Sequence, residues 1–391
     1  MFLNRLIKTN PQLLKTAFEF HRSGIINPDT YVLDLDSILE NAKALIETAN
    51  DNSISLYMMT KQIGRNPKVA KAISKVGINK AVVVDPWEAI TLAKEGIKIG
   101  NVGHLVQIPS NMLEEIIRFS PEVITVFSLD KAREISNISK RMGITSKLML
   151  RVIGPDDMIY NGQVGGFREE NIIKSIKEIQ KLPNVEIEGI TAFPCLLFNY
   201  ETGKVEKTEN AITLQRTIEK IRKELQLQIN QINMPSVTCI ETIPLLKKLG
   251  ATHGEPGHAL TGTTPLHGYT EQKEKIAMAY VSEISHLYED KAYVYGGGFY
   301  NRSHLKGAVV GNTYDNLINN FLLAEDNCSE SIDYYGTLEL GKNRVKVGDT
   351  AIYCFRTQIF VTRSKVAVVE GISRGRPKLL GIYDSLGRKI N

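Results

Sequence analysis

The stretch ISLYMMTKQIGRN, Ile54 to Asn66, decides the fold. It opens as a run of apolar and β-branched residues that reads as a buried strand, and it closes on Thr60-Lys61 before a Gly-Arg-Asn-Pro turn. A lysine at the C-terminal end of a buried strand is unusual, because low dielectric disfavours its charged form and depresses its pKa. An amine in that state can attack an aldehyde and form a Schiff base. Taken alone, a strand-end lysine pointing into water is the commoner arrangement, since lysine is seldom buried. The surrounding chain has to decide between the two.

Downstream of Ile54 short apolar strands alternate with amphipathic helices. Strands are expected near 54–59, 80–85, 102–108, 123–127, 147–153, 185–193, 228–233 and 251–253, with helical patterns such as 66–74, 87–95, 111–119, 130–141, 169–182, 209–225 and 239–249 in the gaps. Eight strands alternating with helices imply parallel pairing through βαβ crossovers, and their number favours closure into a (β/α)8 TIM-type barrel, an α/β fold. After about Lys275 the helical period fades. Period-two alternation returns at 279–286, 291–295, 333–340, 345–353, 358–362, 365–370 and 378–383, which predicts a C-terminal antiparallel β domain. Upstream, a helix is expected over about Pro11–His21, then a strand over Thr30–Asp36 and a helix through about Ala49. The expected organisation is an N-terminal helical extension (1–29), a barrel domain (30–275) whose strand 30–36 joins the β domain, and the β domain itself (276–391).

Length and composition narrow the function classes. A chain of 391 residues has room for a barrel plus a smaller domain. The formal charge of +5 is small, and basic residues are interspersed with acids, as in Lys273-Glu274-Lys275, so no basic stripe points to nucleic acid. No run reaches transmembrane length, and the N-terminus lacks a signal-peptide core. The four cysteines, Cys195, Cys239, Cys328 and Cys354, lie far apart without CxxC spacing. They read as free thiols of a cytoplasmic protein with no metal site.

In such a barrel the chemistry gathers at the C-terminal ends of the strands. Those ends supply Lys61, Asp85, His104, Arg151, Phe193, Ser236 and the run His253-Gly254-Glu255-Pro256-Gly257-His258. The glycine-rich stretch 254–262 suits a phosphate held by backbone N–H groups, with hydroxyls from Ser236 and Thr238 as further donors. An isolated Glu-Pro-Gly is otherwise an ordinary turn, and a lone strand-end histidine such as His104 is more often structural than functional.

A lysine ending the first barrel strand, a serine after the seventh, an E/R-P-G motif after the eighth and a trailing β domain together resemble the fold-type III enzymes of pyridoxal 5'-phosphate, the alanine racemase and ornithine decarboxylase group. The runs THGEPGHALTGTTPLHG (252–268) and YGGGFYNRSHLKG (295–307) look most like the bacterial YhfX-type, alanine racemase-like proteins. The resemblance covers about Thr30 to the C-terminus. It implies a cofactor, pyridoxal 5'-phosphate, bound as an aldimine on Lys61, which also serves as a base. Arg65 stands where racemases place a phosphate-binding tyrosine, and Phe193 where a ring, usually histidine, packs on the cofactor. Ser236, Gly257 and His258 would hold the phosphate, and His104 could donate to the cofactor's 3'-oxygen or to substrate. Glu255 departs from the racemases, which have arginine there, and follows the decarboxylases; a carboxylate keeps the pyridine nitrogen protonated and the ring a strong electron sink.

For racemisation the resemblance implies a second base, a tyrosine from the partner subunit, and so a homodimer with shared active sites. Tyr295 is the candidate and Tyr300 the reserve, the latter also within reach of substrate; a structural strand tyrosine is as common. The segment Gly162–Phe167 resembles the loop that presents an arginine to the substrate carboxylate, but carries Gln163 in that place. With Arg151, it is the candidate for substrate binding. The expected activity is amino-acid racemisation or epimerisation by Cα proton abstraction. The alternatives are a lyase or decarboxylase acting on a D- or basic amino acid, a non-catalytic cofactor-binding protein, and a cofactor-free barrel whose lysine meets a sugar phosphate. Cys354-Phe355-Arg356 lacks the His-x-Cys metal pair of the dehydratase and aldolase branch.

Overall fold

The structure, a computed structural model, describes residues 2–300, 303, 305–325 and 332–391. Cys328 and three residues of the run 295–307 (301, 302 and 304) lie outside the described residues. The chain packs as two compact units: Lys43–Thr60 with Ala70–Gly257, and Met1–Ala42 with Lys61–Val69 and His258–Asn391.

The first unit is the barrel. Its parallel strands run in the order Ser55–Leu56, His253–Gly254, Gln231–Asn233, Val185–Thr191, Ser146–Ile153, Val123–Val126, Lys98–Val102, Lys80–Val82 and Met58–Met59. The first and last of these segments are two halves of one strand around Tyr57, so nine segments make eight strands and the ring closes on itself. Backbone bonds from Tyr57 N to the Gly254 carbonyl (3.0 Å) and from Met59 N to the Pro256 carbonyl (2.9 Å) complete the seam. Strands covered on both faces read as unbroken apolar runs, and Ala81-Val82-Val83-Val84 is buried at every position.

The third strand differs from expectation: it occupies Lys98–Val102 rather than 102–108. Gly103 ends it with φ +90°, a conformation that favours glycine, and any Cβ there would meet the Thr125 carbonyl oxygen at 2.5 Å. The Gln107 carboxamide donates to the carbonyls of Gly103 (2.7 Å) and Thr125 (2.9 Å), folding residues 105–108 back as a loop.

The second unit is built on a nine-stranded sheet. Its main path is Phe321–Leu323, Gly307–Gly311, Thr350–Tyr353, Met278–Tyr288, Thr30–Asp34, Lys365–Glu370, Lys378–Asp384, and Lys291–Tyr295 and Tyr335–Glu339 extend from Met278–Tyr288. Pairing is antiparallel except between Thr30–Asp34 and Lys365–Glu370. Helices Phe2–Thr9 and Pro11–Arg22 lay Leu6, Leu13, Leu14 and Ala17 on this sheet against Ala279, Val281 and Ile352, all within one apolar cluster. Full burial of each leucine contributes about 1.5–3 kcal/mol. The first of these helices was not expected from the sequence, nor were strands Gly307–Gly311 and Phe321–Leu323.

Residues 358–362, expected as a strand, form a 3-10 turn over Ile359–Val361. The Thr362 hydroxyl closes it on the Ile359 carbonyl (2.7 Å), and Ile359 is fully buried. The second unit also begins at His258 and not near 276, because Asn41 Nδ2 donates to the carbonyls of Leu260 (3.1 Å) and Lys275 (2.8 Å) and ties that segment to it. Among the described residues no helix is long and apolar enough to cross a membrane.

Candidate active site

At the C-terminal rim of the barrel unit, Glu255 follows the last strand and is only 8% exposed. Asn233, which ends the preceding strand, donates from Nδ2 to its carboxylate at 2.5 Å, and Thr238 Oγ1 accepts its backbone N–H at 3.0 Å. His104 Nε2 lies 4.0 Å from the same carboxylate, and the His104 ring meets Phe193 edge-on at 5.5 Å. Tyr160 also packs on Phe193, tilted, at 5.8 Å. The barrel unit thus brings His104, Phe193 and Glu255 together, as strand-end positions should. Asn233 and Tyr160 belong to this group and were not singled out in the sequence; Asn233 carried the one available signal, a polar residue closing a buried strand.

The turn after the seventh strand is locked by its own hydrogen bonds. Ser236 Oγ donates to the Leu196 carbonyl (2.7 Å), Thr242 Oγ1 donates to the Val237 carbonyl (2.5 Å), and Val237 takes φ +49°. Gly257 is buried at the end of the Glu-Pro-Gly run. Arg151 lies in the C-terminal part of the fifth strand, Ser146–Ile153; it is 1% exposed, donates from Nη2 to the Gln163 carbonyl (2.9 Å) and lies 4.8 Å over the Phe127 ring.

Lys61, Arg65, His258, Tyr295 and Tyr300 belong to the other unit. Lys61 opens a 3-10 turn over Lys61–Ile63, directly after Thr60 in the chain. Thr60 itself is fully buried, and its hydroxyl donates to Glu88, whose second oxygen accepts the Val84 N–H at 2.6 Å. Glu88 therefore fixes the end of the strand that delivers the lysine. Arg65 is 5% exposed with its guanidinium 4.9 Å over the Phe360 ring.

His258 Nδ1 pairs with Thr263 Oγ1 at 3.2 Å, while its buried Nε2 has no hydrogen-bond partner. Burial holds its pKa well below the ordinary imidazole value, helped by the charges of Arg356, Lys61 and His267, so the ring is neutral. Tyr295 closes strand Lys291–Tyr295 at 40% exposure, 6.2 Å from the Tyr335 ring. Tyr300 lies beyond it, its carbonyl accepting from Ser303 N (2.8 Å).

The residues of the barrel unit fit the ring of pyridoxal 5'-phosphate: its pyridine nitrogen calls for a buried carboxylate such as Glu255 and its ring face for a flat neighbour such as Phe193. In the other unit, Arg65 and His258 Nε2 are donors of the kind a phosphate takes. A separate cleft of about 240 Å³, lined by residues including Ser55, Tyr57, Lys80, Glu122 and His253, opens at the N-terminal ends of the strands, where barrels do not place their chemistry. The three described cysteines, Cys195, Cys239 and Cys354, are buried and free, and among the described residues no group of three or more His, Cys, Asp or Glu could hold a metal.

Residues 33–265 match the family described as alanine racemase, N-terminal domain, and residues 279–379 match the YhfX-like C-terminal domain. The chain is 43% identical over 392 residues to the Escherichia coli K12 protein described as uncharacterized protein YhfX, covering all of both chains. Among solved structures it resembles an alanine racemase of Clostridium difficile 630 in complex with cycloserine (TM-score 0.64, 18% identity, 91% of this chain and 98% of that one). It resembles in the same way a D-threonine aldolase from Filomicrobium marinum (TM-score 0.68, 13% identity, 93% and 95%). With a closed parallel barrel, a following antiparallel sheet and both domain families matched in order, the chain belongs to the alanine racemase family of fold-type III, pyridoxal 5'-phosphate-dependent proteins, with a YhfX-like C-terminal domain.

Proposed function

We propose that this protein is an amino-acid racemase or epimerase that moves a proton at Cα with pyridoxal 5'-phosphate, as a cytoplasmic homodimer. The observation that best supports cofactor chemistry at Cα is Glu255, a carboxylate 8% exposed and held by Asn233 at 2.5 Å, and the family match favours racemisation. The bound cofactor supplies a ring that draws electron density away from Cα and so acidifies the Cα–H bond. Glu255 holds a proton at the ring nitrogen, which keeps that ring electron-poor. Phe193 would pack on the ring face and exclude water from it, while Arg65, Ser236, Thr238, Gly257 and His258 would hold the phosphate. Lys61 carries the cofactor and takes or returns the Cα proton at Nζ. Tyr295, with its side chain exposed, does the same on the opposite face of the site of a second copy, with Tyr300, five residues on in the chain, as the reserve. The buried free thiols suit a reducing compartment.

A lyase acting at the same Cα has equal use for a buried carboxylate at the ring nitrogen, so the two readings are separated by product. Incubation with single amino-acid enantiomers in D2O is expected to give Cα deuteration with inversion; release of CO2, ammonia or aldehyde in its place assigns a lyase. Lys61→Ala is expected to lose the borohydride-sensitive absorbance band of the cofactor and to slow Cα exchange by at least roughly 10²–10⁴-fold. A variant that keeps both the band and the exchange would refute the assignment of Lys61.

A further inference from the structure

The cleft at the N-terminal ends of the strands belongs wholly to the barrel unit. Branched apolar side chains ordinarily fill the inside of such a barrel, but this end of it is polar. Tyr57, 1% exposed, donates from its hydroxyl to Gln231 Oε1 at 3.3 Å, and Gln231 Nε2 donates to Glu122 Oε1 at 3.3 Å. The second oxygen of Glu122 is ion-paired with Lys80. Gly100 leaves the room that Tyr57 occupies, since a Cβ there would meet the Tyr57 ring at 2.5 Å. A floor that only sealed the barrel would match its donors and acceptors within itself. Lys80 instead has three N–H donors and, among the described residues, an ion pair with Glu122 alone.

His253 completes the group. Its ring packs on Tyr57 with 5.1 Å between centroids, and the residue is only 8% exposed. Nδ1 pairs with Thr252 Oγ1 at 2.7 Å; that hydroxyl also accepts the Ile232 N–H at 2.8 Å and lies 3.3 Å from the Ile232 carbonyl. The shorter of its two possible donations gives the hydroxyl proton to Nδ1, so Nε2 carries the ring's own hydrogen. Among the described residues Nε2 has no partner, and the ring lines the cleft. Burial lowers the imidazole to about 4, so it is neutral at pH 7 and Nε2 is a donor without charge.

We propose that this cleft is a second binding site, separate from the one at the C-terminal rim, for a small hydroxylated molecule without net charge, of the polyol or monosaccharide class. Lys80 and Glu122 neutralise each other, so an ion of either sign is attracted by one of them and repelled by the other. A hydroxyl group both donates and accepts. It can give its hydrogen to Glu122 and take one from Lys80 or His253 Nε2 while the ion pair stays closed. The side chains of this pair are 37% and 29% exposed, within reach of such a ligand. Ile46, Leu56 and Ile78 supply an aliphatic wall for its C–H side, with Asn79 beside them. The volume of about 240 Å³ lies below the roughly 300–1,000 Å³ of drug-sized sites, which limits the ligand to about the size of a monosaccharide.

The test is saturation-transfer NMR on the full chain, with glycerol, ribose and myo-inositol as probes and methylphosphonate, putrescine and glycine betaine as their charged counterparts. At least one hydroxylated probe is expected to receive saturation and to bind the parent about 10-fold or more tightly than any charged one. Lys80→Met combined with Glu122→Met, which removes the pair without changing the net charge, is expected to weaken that binding roughly 10- to 100-fold. His253→Phe keeps a ring against Tyr57 and removes Nε2, for an expected loss of about 10-fold. The pair is part-exposed, so its double variant tests the cleft even where His253→Phe fails to fold. No transfer to any hydroxylated probe overturns the proposal, as does tighter binding of a charged one. Binding that is unchanged in the double variant places the probe elsewhere and overturns it too. None of these side chains belongs to the reaction proposed above, so the same measurement decides the point with or without the cofactor bound.

Discussion

The arrangement at Glu255 depends on a neighbour that carries no chemistry of its own. Asn233 supplies the Nδ2 donor to that carboxylate, and both side chains are buried. Removing one partner of a buried hydrogen bond leaves the other desolvated and unmatched, which costs about 1–3 kcal/mol and more for a charged group. Asn233→Ala is therefore expected to lower stability by that amount and to weaken cofactor binding, and Asn233→Asp, which sets a second carboxylate at hydrogen-bond distance, to lower it further. Thermal unfolding and cofactor dissociation measure the two effects; an Asn233→Ala protein unchanged in both would show that Thr238 and the barrel wall suffice. At this scale Lys61, His104, Phe193 and Glu255 could be read from the chain, because each ends or follows an apolar strand. Asn233 and Phe127 could not, because their importance lies in what they touch.

Among the elements, the first strand and the helix Pro86–Lys94 are joined by Glu88. It is fully buried, accepts from the Thr60 hydroxyl and from Val84 N, and donates its own N–H to the N-cap Asp85 carboxylate at 2.9 Å. Glu88→Gln keeps the volume but turns one accepting oxygen into a donor, so one of the two strand-end bonds is lost. The expected result is a loss of about 1–3 kcal/mol in stability and slower formation of the lysine-bound cofactor band, since Thr60 is the residue before Lys61. A band that forms at the parent rate would reject this positioning role. Seven of the eight barrel strands fall near their expected places, and the third does not, because the apolar Leu105, Val106 and Ile108 lie in a loop after the strand has ended before Gly103. Apolar residues of a loop read along the chain like those of a strand, even where they are exposed, as Val106 is at 40%. The same ambiguity turned 358–362 from an expected strand into a 3-10 turn.

For the molecule as a whole, the buried imidazoles set the response to acid. Burial pushes His21, His253 and His267 down to about 4, and His258 well below its ordinary value. A histidine with a depressed folded pKa contributes stability that is complete above about 6.5 and is lost as pH falls towards 4, because the unfolded chain takes up a proton that the folded one refuses. Asp29, raised by burial to about 6, and Asp34, also raised by burial, work in the opposite sense but are outnumbered. Denaturant unfolding is expected to show at least about 2 kcal/mol less stability near pH 5 than near pH 7.5; equal stability would mean that these rings are protonated in the folded protein. The sequence by itself determined the alternation of strands and helices, the β domain behind it, and the lysine and glutamate at strand ends, since these are patterns of period and position along the chain. Only the tertiary structure decided that Thr30–Asp34 enters the sheet between Met278–Tyr288 and Lys365–Glu370, that Asn233 holds Glu255, and that Arg151 lies buried against Phe127 with donors to spare. Those contacts depend on strand order and register, which bring together residues that no local pattern of the chain connects.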